Sequence, residues 1–422
     1  MSNQLLHTPE GVRDIYGEEC ARKLAVQRRI KDIFHLYGYR DIETPTFEFF
    51  DIFNKDRGTV DDKEMFKFFD RDNRTLVLRP DVTPSIARCV AKYFMEEDMT
   101  IKLCYLERTF ANNSSYQGRL KEQTQTGAEF IGDDSADADA EMIAMVIDSL
   151  KAAGLMEFQV ELGQVEFFRG LLEEAGMDED TEEELRELIE NKNYFGVEEL
   201  VMEQPMPDHL KQVFLKLPEL FGTMDQIQVV RELTTNSRAL AAIDRLEKIQ
   251  RILDSYGLTE YVSYDLGMLN KYKYYTGLIF KAYTYGTGEY IMTGGRYDKL
   301  LVQFGKDTPA VGFVILVDQL MMALSRQKLS VPVDMGNTMI LYEETARENA
   351  IRLAKHFRRL NMKVQMSLSA SGRTLEEYLG YAGRSGLRNV LYMDGDGSLI
   401  KVTDAVNGTT DTIPVTEYIK EA

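Results

Sequence analysis

Apolar residues first recur at helical spacing over residues 17–37, where Ala21, Leu24, Ile30, Ile33 and Phe34 form a stripe and Gly38 ends the element. Tyr39 to Pro45 reads as a short extended piece closed by proline. Residues 84–95 read as a second helix, with Pro84 in its first turn. Two strands follow, 101–111 and 121–131, joined by a polar loop over 112–120. Along the second strand, period-two alternation puts Gln123, Gln125, Gly127 and Glu129 on one face and Thr124, Thr126, Ala128 and Phe130 on the other. Two amides and a carboxylate around a glycine fit a polar pocket and fit a solvated sheet equally well.

A helix over 137–153 and a strand near 159–162 come next. Residues 167–253 are mostly helical in pattern and highly charged, and carry no catalytic motif. Strands return near 264–266, 278–285 and 290–293, and Gly294-Gly295-Arg296-Tyr297-Asp298 reads as a tight turn. Val311-Gly312-Phe313 leads into a helix over 316–325. A linker around Ser330-Val331-Pro332 precedes an alternating segment: strand 338–342, helix 344–360, strand 363–366, helix 374–383, strand 389–393 and one more strand. This predicts a small α/β domain over 333–422, after a core over 1–328 with a helical insertion at 167–253. Asp394-Gly395-Asp396-Gly397 lacks the downstream glutamate of a calcium loop and reads as a hairpin turn.

The net charge of −19 argues against a nucleic-acid-binding chain, because phosphate contacts need a basic surface. Part of that excess is the run 178–184, where Thr181 and Glu184 fit a capping box at a solvated helix start. Residues 331–422 hold 12 acidic and 11 basic side chains, a near-neutral balance without an evident grip on RNA. The opening residues 1–11 are polar and do not look like a signal peptide, and no apolar run reaches membrane length. Cys20, Cys89 and Cys104 have no metal-binding spacing and read as unpaired thiols of a reducing cytoplasm; His7, His35, His209 and His356 are scattered. No metal and no cofactor are expected.

The motifs in order resemble a class II aminoacyl-tRNA synthetase, and in detail histidyl-tRNA synthetase. Gly38 to Pro45 resembles motif 1. Leu78-Arg79-Pro80-Asp81-Val82-Thr83 resembles the family's L-R-P-E-x-T. Tyr105 to Glu129 resembles motif 2 and the strand after it, and 127–132 and 138–141 match its continuation. Tyr274-Tyr275 resembles the end of the histidine signature R-G-x-D-Y-Y, and 294–298 with 310–313 match the approach to motif 3. The likeness covers about residues 8–325, and the last domain resembles a reduced anticodon-binding domain. The implied fold is α+β: an antiparallel sheet flanked by helices, with a helical insertion and a small C-terminal α/β domain.

The departures cluster. Ala111 stands where the family has the motif 2 arginine, and Asn113 where it has a glutamate. Asn270 and Lys273 replace the signature's arginine and aspartate, and Gln319 replaces the motif 3 arginine. Activation drives a carboxylate onto the α-phosphorus of ATP, and arginine's fixed fork and permanent charge match the charge that builds there. One lost donor of that kind costs on the order of 3 kcal/mol. The residues that the family sets around histidine's ammonium and imidazole persist: Asp81, Thr83, Gln125, Glu129, Tyr275 and Tyr274.

Selective loss of the phosphate half resembles the regulatory subunits of short-form ATP phosphoribosyltransferase, as does Leu162 to Arg169. That resemblance implies a non-catalytic chain in histidine biosynthesis, dimeric through its core, in a hetero-oligomer with the short catalytic subunit and with histidine as effector. Two rivals stay open: an active histidyl-tRNA synthetase, and a synthetase-like ligase for another substrate, for which Lys271, Lys273 and Arg296 are the nearby candidate cations, with Arg296 read as structural within Gly-Gly-Arg-Tyr-Asp. A nucleic-acid-sensing pseudo-synthetase is a weaker third. Retained polar residues that merely satisfy one another in a decayed site are the bland alternative.

Overall fold

The computed structural model describes residues 6–53, 62–113, 120–269, 275–333, 336, 338–405 and 407–418. Two compact units emerge, one comprising 1–15 and 23–331, the other 16–22 with 332–422.

The first unit is built on a nine-stranded sheet. Its spatial order is Arg40–Asp41, Ile101–Phe110, Glu122–Ile131, Ala310–Leu316, Met292–Arg296, Leu278–Thr284, Phe158–Gln164, Val262–Asp265 and Phe221–Gly222. The pairing is antiparallel throughout the middle. It is parallel at two places, between 40–41 and 101–110 and between 158–164 and 262–265. Strands 101–110 and 122–131 pair over their whole length, from Ile101 opposite Ile131 to Phe110 opposite Glu122.

One face of this sheet is packed against helices Gly17–Leu36 and Ala136–Ala152. Phe34 meets Phe313 edge-on at 5.6 Å, and Tyr39 meets Phe130 at 6.4 Å. Helix 136–152 starts at Ser135, whose side chain accepts from Ala138 N at 3.2 Å, and Asp137 and Asp139 suit its positive end. Helix Thr83–Tyr93, with proline in its first turn, sits by the opposite face. The sheet is therefore covered on both sides where Glu129 lies. Along 122–131 the alternation separates apolar packing from polar chemistry, not buried from exposed.

Two expectations need correction, and a third holds with one addition. Gly294, Gly295 and Arg296 are not a turn; they are strand, the two glycines paired with both 278–284 and 310–316 and Arg296 with Val311. The reason is close packing: a Cβ on Gly295 would sit 2.6 Å from the Tyr275 ring. The acidic run is capped by Asp178, whose carboxylate accepts from Thr181 N at 3.0 Å, so the helix Glu179–Glu190 begins before the Thr181 box could act. The insertion is helical from Val165 to Tyr256 but contributes one short strand, 221–222, to the edge of the main sheet.

The second unit holds a five-stranded sheet in the order Val364–Leu368, Thr338–Tyr342, Asn389–Met393, Leu399–Asp404, Thr410–Pro414. Strands 389–393 and 399–404 form the hairpin that Asp394 to Gly397 predicted. The strand 410–414 has no expected counterpart. Helices Arg347–Arg359 and Leu375–Arg384 pack on the sheet, the latter behind a Thr374/Glu377 capping box.

Candidate functional site

Strand register builds the site from the floor up. Leu103, Glu129, Gly312, Gly295 and Ile279 stand side by side across five strands, with their side-chain positions on one face. Glu129 is 1% exposed and lies over Gly312, where a Cβ would come within 1.7 Å of Oε2. Only glycine leaves room for the carboxylate to lie flat on the sheet.

Glu129 Oε1 accepts from the Thr83 hydroxyl at 2.8 Å, and Oε2 accepts from the Tyr297 hydroxyl. Thr83 is brought to the sheet by Arg79, which is 2% exposed. Its guanidinium donates to Arg108 O at 2.8 Å and Thr44 O at 2.7 Å, and pairs with Glu107. That pins the turn that carries Asp81, whose Oδ1 accepts from Val82 N at 2.7 Å just before helix 83–93 begins. Tyr105 lies over Gly127 in the next row, and Tyr275 lies over Gly295.

Burial is the main cause that pushes the Glu129 carboxyl up to about 8; the Tyr297 and Thr83 hydroxyls oppose it, and the nearby charge of Asp81 adds to it. Burial and the Glu129 charge hold the phenols of Tyr105 and Tyr297 well above their ordinary range, so both remain neutral. Every hydrogen bond that Glu129 makes among the described residues comes from a hydroxyl. A buried carboxyl that keeps its proton at neutral pH, with no cation paired to it among the described residues, suits a ligand whose positive charge and N–H donors favour its ionised form.

The structure thus brings Asp81, Thr83, Glu129 and Tyr275 together. Gln125 shares their face two rows along from Glu129, opposite Glu107 and Leu316, and its Oε1 is buried without a hydrogen-bond partner among the described residues. Tyr274 lies outside the described residues, as do Asn270, Lys271 and Lys273. Arg296 is described and is not a spare cation: it is locked onto Asp139 at 2.7 Å. Sequence reasoning missed Tyr105 and Tyr297. Both were within reach, because Tyr105 opens the motif 2 segment and Tyr297 stands inside Gly-Gly-Arg-Tyr-Asp.

The phosphate half looks different. Ala111 follows the end of strand 101–110, and its N–H donates to Lys121 O at 2.9 Å. Asn113 Oδ1 and Gln319 Oε1 are buried carbonyl oxygens with no hydrogen-bond partner among the described residues. Among those residues one group offers metal-ligand atoms, His35, Asp41 and Cys104, within 4.8 Å of one another. Lys31 already holds the same Asp41 oxygen at 3.0 Å, and burial together with Asp41 pushes the Cys104 thiol up to about 12, which opposes thiolate ligation.

The family model for histidyl-tRNA synthetase matches residues 11–320. An ATP phosphoribosyltransferase regulatory subunit of Acetivibrio thermocellus is 40% identical over 420 residues, 100% of each chain. The chain belongs to the ATP phosphoribosyltransferase regulatory subunits. The regulatory subunit of Ruminiclostridium cellulolyticum is 39% identical over 411 residues, 97% of each chain. A solved structure described as an ATP phosphoribosyltransferase regulatory subunit/histidyl-tRNA synthetase from Bacillus halodurans is 32% identical, with a TM-score of 0.83 over 93% of this chain and 99% of that one. Histidyl-tRNA synthetase from Nostoc sp. superposes with a TM-score of 0.81 over 98% of each chain at 17% identity, which shows the shared class II fold alone. A regulatory subunit is the non-catalytic chain of its complex, in keeping with the substitutions at Ala111, Asn113 and Gln319. Among the described residues no helix is long and apolar enough to cross a membrane.

Proposed function

We propose that the chain is a histidine sensor: it binds free histidine on the Glu129 face and conveys that occupancy to a short catalytic subunit that condenses ATP with phosphoribosyl pyrophosphate. The observation that carries this reading is the fully buried Glu129, held among the described residues by the hydroxyls of Thr83 and Tyr297 beside Asp81. An imidazole N–H is a donor of the right kind for that carboxylate. Asp81, Thr83 and Gln125 supply acceptors for an α-ammonium. With Ala111, Asn113 and Gln319 in place of the family's charged groups, the pocket holds an amino acid without the means to adenylate it.

Feedback then requires that histidine favour one state of the complex over another. A homodimeric core inside a cytoplasmic hetero-oligomer completes the reading. Its support is the apolar face of the small sheet of Phe47–Phe49, Lys67–Phe69 and Thr75–Leu78, where Phe47, Phe49 and Phe68 are 53%, 43% and 36% exposed. Calorimetry of the full chain with histidine tests the pocket. Binding is expected for the natural chain and a loss of about tenfold or more for Glu129→Ala. Equal affinities would place histidine elsewhere. Co-expression with a short catalytic subunit, followed by sizing and an assay with and without histidine, tests the partner.

A further inference from the structure

Two chains of ion pairs run from the pocket to the same helix, Ser237–Tyr256. The first starts at Tyr297. Its neighbour Arg296 points to the other side of the sheet, where it donates to Asp139 Oδ1 at 2.9 and 2.7 Å. Asp139 is 0% exposed, and its Oδ2 accepts from Arg245 of helix 237–256 at 2.8 and 2.6 Å. One buried carboxylate thus joins two guanidinium forks, one fixed to the pocket strand and one to the helix. The second chain starts at Tyr275, whose carbonyl accepts from Arg169 at 3.1 Å. Arg169 pairs with Glu166 at 2.9 Å, and Glu166 pairs with Arg238 of helix 237–256 at 2.6 Å. Asn236, the cap of that helix, donates to Gly170 O and Glu174 at 3.0 Å, which fixes its start on helix Val165–Ala175.

We propose that helix 237–256 positions both pocket tyrosines through Arg245 and Arg238, and that occupancy of the pocket is passed to the insertion along these two bridges. The proposal rests on the reading of the pocket as a histidine site. A ligand N–H that reaches Glu129 competes with the Tyr297 and Thr83 hydroxyls for the same two oxygens. A shift of Tyr297 carries Arg296 with it. Asp139 is fully buried between the two forks, so a displaced Arg296 pulls on Arg245 through it as well as on its own further partners, Asp133 O and Asp298. Bidentate forks transmit direction as well as charge, which a lysine at the same place would do less well. A shift of the 275–277 segment reaches the same helix through Arg169 and Glu166. The helix therefore receives both inputs, and the insertion that it closes is the part of this unit that histidine would rearrange.

Hydrogen exchange of the full chain, with and without histidine, tests this alongside calorimetry on the same samples. Histidine is expected to slow amide exchange in 237–256 by about fivefold or more in the natural chain. Arg238→Gln and Arg245→Gln should each reduce that change to under about twofold and weaken histidine binding by roughly three- to tenfold. Arg238→Lys, at a half-exposed position whose loss leaves the core intact, should restore part of both. Histidine binding with unchanged exchange in 237–256, or full protection in both glutamine variants, overturns the relay while the pocket stands. No histidine binding by the natural chain overturns the pocket, and the relay with it.

Discussion

The two ends of strand 122–131 have met different fates. Near its C-terminal end, Glu129 keeps a glycine beneath it, hydroxyls on both oxygens and a pinned turn delivering Thr83. Near its start, Ala111, Asn113 and Gln319 offer no charge, and two buried amide oxygens present acceptors where a phosphate needs donors. A buried carboxylate cannot be left half-supported, because removing one partner exposes the full cost of desolvating the other. At the other end no such pairing ties the residues in: the buried side-chain oxygens of Asn113 and Gln319 have no hydrogen-bond partner among the described residues. Substitution there removes function and leaves folding intact. The difference teaches that the end tied into the core is held by stability in addition to the ligand binding proposed for it, whereas the other end carries no such structural constraint.

The largest effect should come from striking the tied end. Gly312→Val places side-chain atoms where Glu129 Oε2 lies, since even a Cβ would approach to 1.7 Å. Expected are a stability loss of about 3 kcal/mol or more in urea unfolding and histidine affinity lowered by at least about a hundredfold. Gly380→Ala, in helix 375–384 with nothing nearer than Arg384 Nη1 at 3.4 Å, is the matched control and should be neutral or stabilising. Similar outcomes for both variants would remove the argument that Gly312 exists to seat the carboxylate.

A subtler break uses pH. The Glu129 carboxyl has an ordinary value of 4.5 and is raised to about 8 by burial. Between those values the folded chain holds a proton that the unfolded chain has released. Stability should therefore fall as pH rises through that window and level off above it. Glu129→Gln removes the slope. Relative to the natural chain, this variant should gain stability steadily from about pH 5 to about pH 8 in denaturant titrations. A difference that stays constant across that range would mean that Glu129 is ionised throughout.

Much of this comparison was legible in sequence. The alternation along 123–129 put Gln125 and Glu129 on one face, and the motif order supplied the class II fold and the lost positions. What stayed hidden was three-dimensional neighbourhood. Gly294 and Gly295 look like turn residues because glycine often is one; here they are strand because the Tyr275 ring and the strand neighbours come so close. Tyr297 was read as part of that turn, so its bond to Glu129, 168 residues away in sequence, could not be anticipated. Arg296 reads as structural within Gly-Gly-Arg-Tyr-Asp, and its ion pair with buried Asp139 bears that out, but the partner itself, 157 residues away, has no signal in the sequence. The two-residue strand 221–222 is too short to give any period, and only its pairing with 262–265 defines it.

The smallest effect is expected where the comparison says least is at stake. Ala111→Arg with Gln319→Arg restores two of the missing cations to the phosphate end. The natural chain should catalyse no histidine-dependent ATP–pyrophosphate exchange. Each preorganised donor is worth on the order of 3 kcal/mol in a complete site, but donors that act as a set contribute little singly, and Asn113 and Asn270 still stand where the family places charge. The double variant should therefore stay within about tenfold of background in that assay, with histidine affinity changed by less than about threefold. Robust exchange by the natural chain would overturn the reading of this end as inactive and revive the synthetase-like ligase. Strong exchange by the double variant alone would mean that the phosphate end kept its shape when it lost its charge, so that two side chains separate a sensor from an enzyme.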